Sequence, residues 1–171
     1  SRSMHEATSA PIDPAGVNLT GKQFQPVASN VSVTSLAANG QQADLIAGNN
    51  VYAHVPDIND FTRGLKAALK PSGTITLEFP HVMRLIEHTQ FDTVYHEHFS
   101  YLSLFTVERI FRSVGLRVWN VEELSTHGGS LRVYGCHDED AKAPSSAVQT
   151  MLNEEARRGL QTLSTYQGFQ M

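Results

Sequence analysis

Tyr95, His96, Glu97 and His98 set a phenol, two imidazoles and a carboxylate at consecutive positions. Phe91, Phe99 and Tyr101 surround them with aromatic rings. Burying titratable groups among apolar ones is costly unless they are partnered. Imidazoles exchange protons near neutral pH, so this residue set suits general acid–base chemistry. In an extended strand Tyr95 and Glu97 would project to one face, His96 and His98 to the other. A base beside its partner needs a bend, and the Tyr95–His98 spacing (i, i+3) is that of a turn, so the segment is expected to be turn-like or irregular. The bland alternative is a polar knot tying a loop to a sheet. A zinc site is the other alternative, with His96, Glu97 and His98 as donors and His54, His81 and His127 as further candidates. No His-Glu-x-x-His motif supports it.

Other residues fall where chemistry would use them. Asn49 and Asn50 follow an apolar run and could bond a cofactor's polar tail or simply make a turn. His54 precedes Pro56, and His81 follows Pro80. Each could face a substrate, or serve as a cap or loop-bonding residue. Thr126-His127-Gly-Gly could bring backbone close to a ligand, or form a tight turn that needs positive φ. Arg84 and Arg132 could each meet a diphosphate, although a surface arginine is the commoner case.

These residues need elements to position them. Ala43–Gly48 reads as a buried strand. Asp60–Leu69 has helical spacing, with Phe61, Leu65, Ala68 and Leu69 on one face. Pro71-Ser-Gly73 reads as a stop and turn. Thr74–Phe79 alternates and is β-branched, hence a strand. Short helices are expected over His81–His88 and Thr106–Val114, with Gly115 as a stop. Strands follow at Leu116–Val121 and Ser130–Tyr134, adjacent and joined by a loop. One amphipathic helix is expected over Ser145–Thr165. The order predicts an α/β layer with a mostly parallel sheet and an antiparallel end. Ligands of such sheets sit beyond the carboxyl ends of the strands, where Asn49, Asn50 and His81 fall. Before Ala43 the text is broken by Pro11, Pro14, Gly16, Gly21 and Pro26, so residues 1–42 read as an arm, with a short strand at Asn30–Ser35. Residues 43–140 form the core, and 141–171 the start of a C-terminal domain.

Composition narrows the class. The chain has 171 residues, 40% of them hydrophobic, and a net charge of -4 without a basic run. Nucleic acid is therefore not an expected partner. No run reaches the ~18 apolar residues of a membrane span, and a cytoplasmic protein is expected. Cys136 stands alone, which excludes an internal disulfide and a Cys-rich zinc site. Ser1-Arg-Ser3 ahead of Met4 has the look of a cloning remnant.

Four blocks in order carry a family resemblance: Asn49-Asn-Val-Tyr-Ala-His-Val-Pro-Asp-Ile-Asn-Asp60, Glu78-Phe-Pro-His81, Phe91-Asp-Thr-Val-Tyr-His-Glu-His98 and Thr126-His-Gly-Gly-Ser-Leu-Arg132. From Ala43 to Phe169 the chain resembles the S-adenosyl-L-methionine (SAM)-dependent sugar C-methyltransferases, in particular the nucleotide-sugar 3-C-methyltransferases of deoxysugar biosynthesis. The resemblance implies a partial Rossmann-like class I methyltransferase fold with SAM as cofactor. It implies a 4-ketosugar on a nucleoside diphosphate, dTDP, as substrate. It puts the base on His98, assisted by Tyr95 and Glu97, with His54 also facing the sugar. His81, His127 and Arg132 are the expected substrate contacts, and Asn49 and Asn50 the expected cofactor contacts.

The chain departs from the family pattern in two places. The family's four-cysteine zinc domain and Gly-rich SAM loop have no counterpart, since no Gly-x-Gly occurs. Ile12-Asp-Pro-Ala15 is only a faint match to the family's acidic ribose-binding turn. The chain thus reads as the middle of a larger enzyme, with weak or absent SAM binding expected. A non-catalytic sugar-nucleotide-binding or assembly module is the alternative function. The missing neighbour strand should leave one edge of Ala43–Gly48 open, to be covered by Asn30–Ser35 or by a second copy in a homodimer.

Overall fold

The computed structural model describes residue 40 and residues 42–167. The strand expected at Asn30–Ser35, the turn Ile12–Ala15 and nearly all of the 1–42 arm lie outside the described residues. The chain leaves Gln42 into strand β1 (Ala43–Asn49). A 3-10 turn, Tyr52–His54, leads to helix α1 (Ile58–Ala68). Asp57 caps α1, its carboxylate accepting from the Asp60 amide at 2.8 Å. The buried side of α1 carries Thr62 and Leu65.

Leu69 ends α1 and opens β2 (Leu69–Pro80) without an intervening turn. Pro71 and Gly73, expected to stop the chain, lie inside this strand. Their mark is a register irregularity: Ala43 pairs with Leu69, but Leu45 pairs with Thr74. A proline lacks the amide that regular pairing requires, so the pairing is interrupted around it. Helix α2 (Val82–Glu87) follows, then an irregular stretch to α3 (Leu104–Ser113). Strands β3 (Leu116–Leu124) and β4 (Ser130–His137) form an antiparallel hairpin. Helix α4 (Ser146–Arg157) ends the main body, and a short helix α5 (Leu163–Gln167) follows.

The sheet order is β1-β2-β4-β3. Only β1 and β2 pair parallel; β4 is antiparallel to both β2 and β3. The expectation of a mostly parallel sheet is therefore corrected. β1, β2 and β3 do run in one direction. The hairpin folds β4 back between β2 and β3, and this insertion turns two of the three pairings antiparallel. The single helix expected over Ser145–Thr165 is also corrected. It breaks at Gly159, whose φ of 75° is left-handed, a backbone that terminates helices and suits glycine.

Ile75, Leu77 and Phe79 alternate to one face of β2 and are fully buried. They join Leu131 and Val133 of β4, Leu65 of α1, Val107 and Phe111 of α3, and Val148 and Met151 of α4 in one core. Tyr52 sits among them with no exposed surface, its ring 6.4 Å from both Phe79 and Phe111. Its hydroxyl meets Thr62 Oγ1 at 2.7 Å. Burial pushes the Tyr52 phenol up to about 12, so it stays a neutral hydrogen-bonding group. Among the described residues no helix is long and apolar enough to cross a membrane.

Arg158, just past α4, ties that helix to α2. It donates to Glu87 at 2.9 Å and to Glu154 at 2.7 Å. Hydrogen bonds from Arg157 and then Arg158 lower Glu154 from about 4.5 to about 2. Arg158 and then Arg84 lower Glu87. A carboxylate lowered on folding stabilises the fold above its unfolded value and loses that effect as pH falls through its folded value. Arg158→Ala is expected to lower the urea midpoint modestly near neutral pH, and the deficit should close as pH falls from about 4.5 toward 2. Urea titrations of both proteins across that window check it; a deficit independent of pH would be packing, not charge.

Candidate functional site

The site is built where β1 and β2 end. Asn50 follows β1 with φ of 53°, and its amide donates to Glu78 O at 2.8 Å. This bend sends the chain into the Tyr52–His54 turn. The buried Tyr52 anchors that turn from below, leaving His54 half-buried on top. The Ala53 carbonyl then accepts from Phe99 N at 2.9 Å and Ser100 N at 3.2 Å. This double contact brings the Tyr95–Tyr101 stretch against His54.

Tyr95–His98 is a turn, as the spacing predicts: His98 N donates to Tyr95 O at 3.1 Å. The turn stacks the Tyr95 ring on His98, centroids 4.4 Å apart and 37° between planes. His54 lies 4.6 Å from His98, and Tyr101 meets it edge-on at 5.9 Å. One imidazole is thus enclosed by three rings.

Both imidazoles are held by the same device. His98 Nδ1 lies 2.8 Å from Thr93 O, and His54 Nδ1 lies 2.9 Å from Glu97 O. A carbonyl only accepts, so each Nδ1 carries a proton, and in the neutral ring the lone pair is then on Nε2. His98 Nε2 is screened from solvent and has no hydrogen-bond partner. It is an unpaired basic nitrogen held among rings, the state required of a proton acceptor.

Glu97 enters differently from the expectation. Its side chain is exposed and makes no hydrogen bond or ion pair with His98; its backbone carbonyl orients His54 instead. Thr93, not Glu97, orients His98, because the tight turn points the Thr93 carbonyl at Nδ1. His96 is exposed, its ring edge-on to Tyr95 at 6.5 Å.

The remaining candidates stand apart from this cluster. His81, expected to contact substrate, is 1% exposed, with Nε2 2.8 Å from Glu155 Oε1. It sits just before α2 and faces into the fold, where Glu155 of α4 meets its ring, rather than onto the rim. His127 is exposed on the β3–β4 connection with φ of 52°. That connection is pinned by Thr126 donating to Glu78 and by Gln90 donating to Gly128 O, each at 2.8 Å. Arg132 donates to Glu78 Oε2 at 2.8 Å. Arg84 is committed to Glu87 and Glu123. Asn49 is exposed; Asn50 Oδ1 is buried without a partner. Such an orphaned acceptor at a strand end fits a donor on a bound cofactor. Among the described residues no three His, Cys, Asp or Glu side chains group to hold a metal.

Sequence reasoning gave no role to Glu78, a nearly buried carboxylate at the end of β2 with partners on two elements. The signal was present. Thr74, Thr76 and Glu78 share one face of β2, and Arg132 lies directly across on β4.

A family model described as a methyltransferase domain matches residues 4–121. One described as a C-methyltransferase C-terminal domain matches residues 125–171. The C-methyltransferase NovU of Streptomyces niveus is 37% identical over 164 residues, covering 92% of this chain and 39% of that protein. The chain thus spans well under half of that relative's length. Among solved structures, magnesium protoporphyrin IX methyltransferase of Synechocystis PCC 6803 with bound SAH superposes with a TM-score of 0.44 and 14% identity, over 60% of this chain and 48% of that one. A SAM-dependent methyltransferase of Anabaena variabilis gives 0.46 and 10%, over 61% and 53%.

Proposed function

Since the chain belongs to the C-methyltransferase family, we propose that it serves SAM-dependent C-methylation of a nucleotide-linked 4-ketosugar, with His98 as the base. The observation that carries this is the fixed tautomer of His98: Nδ1–H on Thr93 O, Nε2 unpaired. A C–H bond beside a ketone is acidified by the carbonyl. His98 Nε2 takes that proton, and the electron pair passes into an enolate. The imidazolium so formed is steadied by the Thr93 carbonyl and by the face of Tyr95. The Tyr95 hydroxyl donates to the enolate oxygen or to a sugar hydroxyl. His54, with its own Nε2 left as acceptor, holds a sugar hydroxyl beside His98. When bound, SAM supplies the electrophilic methyl group that the enolate carbon takes. Asn50 Oδ1, with Asn49 beside it, would accept from the amino group of the cofactor. Deuterium wash-in from solvent at the carbon beside the ketone tests the base; an enzyme that methylates without any wash-in in the absence of SAM would refute this assignment.

A second reading has its own observation. No Gly-x-Gly turn occurs in the chain, and such turns bring backbone amides to a nucleotide cofactor. The chain would then bind a sugar nucleotide or assemble with another copy, without methyl transfer of its own. We expect calorimetric titration of this chain to give SAM binding weaker than micromolar. A micromolar or tighter constant would remove this second reading. A homodimer joined at the β1 edge is the accompanying proposal, and light scattering at micromolar concentration reads the mass.

A further inference from the structure

The base-bearing segment is an excursion from the body of the fold. It leaves at His81, at the end of β2, and returns at Leu104, the first residue of α3. The two ends meet at its foot: His81 bridges Leu102, and Val82 N donates to Leu102 O at 3.0 Å. One carboxylate from a distant part of the chain closes this foot. Glu155 of α4 has no exposed surface. Its Oε1 accepts from Leu104 N at 2.6 Å and faces His81 Nε2 at 2.8 Å. Its Oε2 accepts from Phe105 N at 2.9 Å.

A buried carboxylate is tolerated only when donors surround it, and removing one leaves the remainder mismatched. Here the donors are the first amides of α3, which no residue of that helix can satisfy, and the ring of His81. The nearby Ser103 hydroxyl is engaged elsewhere, accepting from Thr106 N at 3.2 Å. Glu155 is therefore the one group among the described residues that grips both ends of the excursion. Tyr101, Leu102 and Ser103 alone separate that grip from Ser100, whose amide, with that of Phe99, docks the excursion on Ala53 O.

We infer that Glu155, with His81, is a positioning residue for the base-bearing segment. It sets the foot of the excursion, so that Phe99 and Ser100 reach Ala53 and His98 meets Thr93 O and the His54 ring. The inference rests on the reading of His98 as the base for its functional meaning only. Its physical content is that a buried carboxylate near the C-terminal end of the chain controls the order of the site.

The test uses the full chain and needs no substrate. In Glu155→Gln, the carboxamide keeps volume and one acceptor but turns an N–H toward Phe105 N–H. Amide hydrogen exchange at Phe99 and Ser100 is expected to quicken about tenfold, the scale of one lost buried hydrogen bond. The ring Nδ1–H signal of His98 should broaden or vanish in the same sample. The β2–β4 amides, which report global stability, should change less. Changes confined to Leu104, Phe105 and Thr106 would make Glu155 a helix cap and nothing more, and would overturn the inference. If Glu155→Gln does not fold, His81→Asn decides. It leaves both α3 amides on the carboxylate, and unchanged exchange at Phe99 and Ser100 would likewise overturn it. Deuterium wash-in at the sugar carbon is a separate readout. Its failure would strike the base assignment and leave the positioning result standing.

Discussion

Alanine at His98 is expected to slow solvent deuterium exchange at the carbon beside the ketone by about 10²–10⁴-fold, the usual contribution of a positioned base. Affinity for the sugar nucleotide should change little, because the truncation removes proton transfer more than ground-state contacts. The enzyme to use is a complete relative carrying this site, or this chain if it binds the substrate. Exchange is read by mass or NMR without SAM, which isolates deprotonation from methyl transfer. His54→Gln is the informative comparison. Glutamine can still donate to the Glu97 carbonyl that now receives His54 Nδ1–H. Its effect is expected to fall mainly on KM, as a sugar contact would. The reverse pattern, with exchange intact in His98→Ala and lost in His54→Gln, would move the base to His54. The two rings are 4.6 Å apart and share the same tautomer, but of the two only His98 has an Nε2 that is buried and unpaired, and the exchange rates test that distinction.

What the sequence made legible was local. The turn at Tyr95–His98 followed from the need to set a base beside its partner, which an i, i+3 spacing meets only in a bend. β2 was legible from its alternation, and β1, β3 and β4 were also expected; all four run longer than expected. α1 begins earlier than its apolar pattern implied because Asp57 caps it, a signal that was available three residues upstream of Asp60. α3 was a different matter. It starts at Leu104 because Ser103 caps one amide and Glu155 takes two more. The second partner is |i−j| of 51 away from Leu104, and no local pattern announces it. The same holds for His81, whose place after a strand end suggested the rim; a carboxylate on α4 draws it inward. His54, His98 and Tyr95 pack together, but the acceptors that orient the two imidazoles are the backbone carbonyls of Glu97 and Thr93. Backbone acceptors have no residue type, so sequence reasoning reached for the Glu97 carboxylate instead.

Gly135→Ala is expected to destabilise the fold by about 1–3 kcal/mol, toward the upper end of that range. Gly135 lies on β4 opposite Ile75 and Val118. A methyl group there would lie well inside van der Waals contact of Phe111 Cε2, and 3.2 and 3.3 Å from its Cδ2 and Cζ. The ring has no room to retreat: Phe111 is fully buried and stands edge-on to Tyr52 at 78°. The position is thus held by glycine for space rather than for backbone freedom. Phe111→Ala opens the complementary defect, a cavity beneath Tyr52, and is expected to cost about 3–5 kcal/mol. Gly135→Ala combined with Phe111→Leu should lose less than the sum of the two single changes, with a coupling of about 1 kcal/mol, since the smaller side chain vacates the space the methyl needs. Urea midpoints of the wild type, the two single variants and the double variant give that coupling. Strict additivity would mean the ring and the glycine do not meet as described. The consequence reaches the site, because Tyr52 carries the turn that presents His54. Displacing its ring should also alter the contact between His54 Nδ1 and Glu97 O, visible in the His54 ring signals of the Gly135→Ala protein before it unfolds.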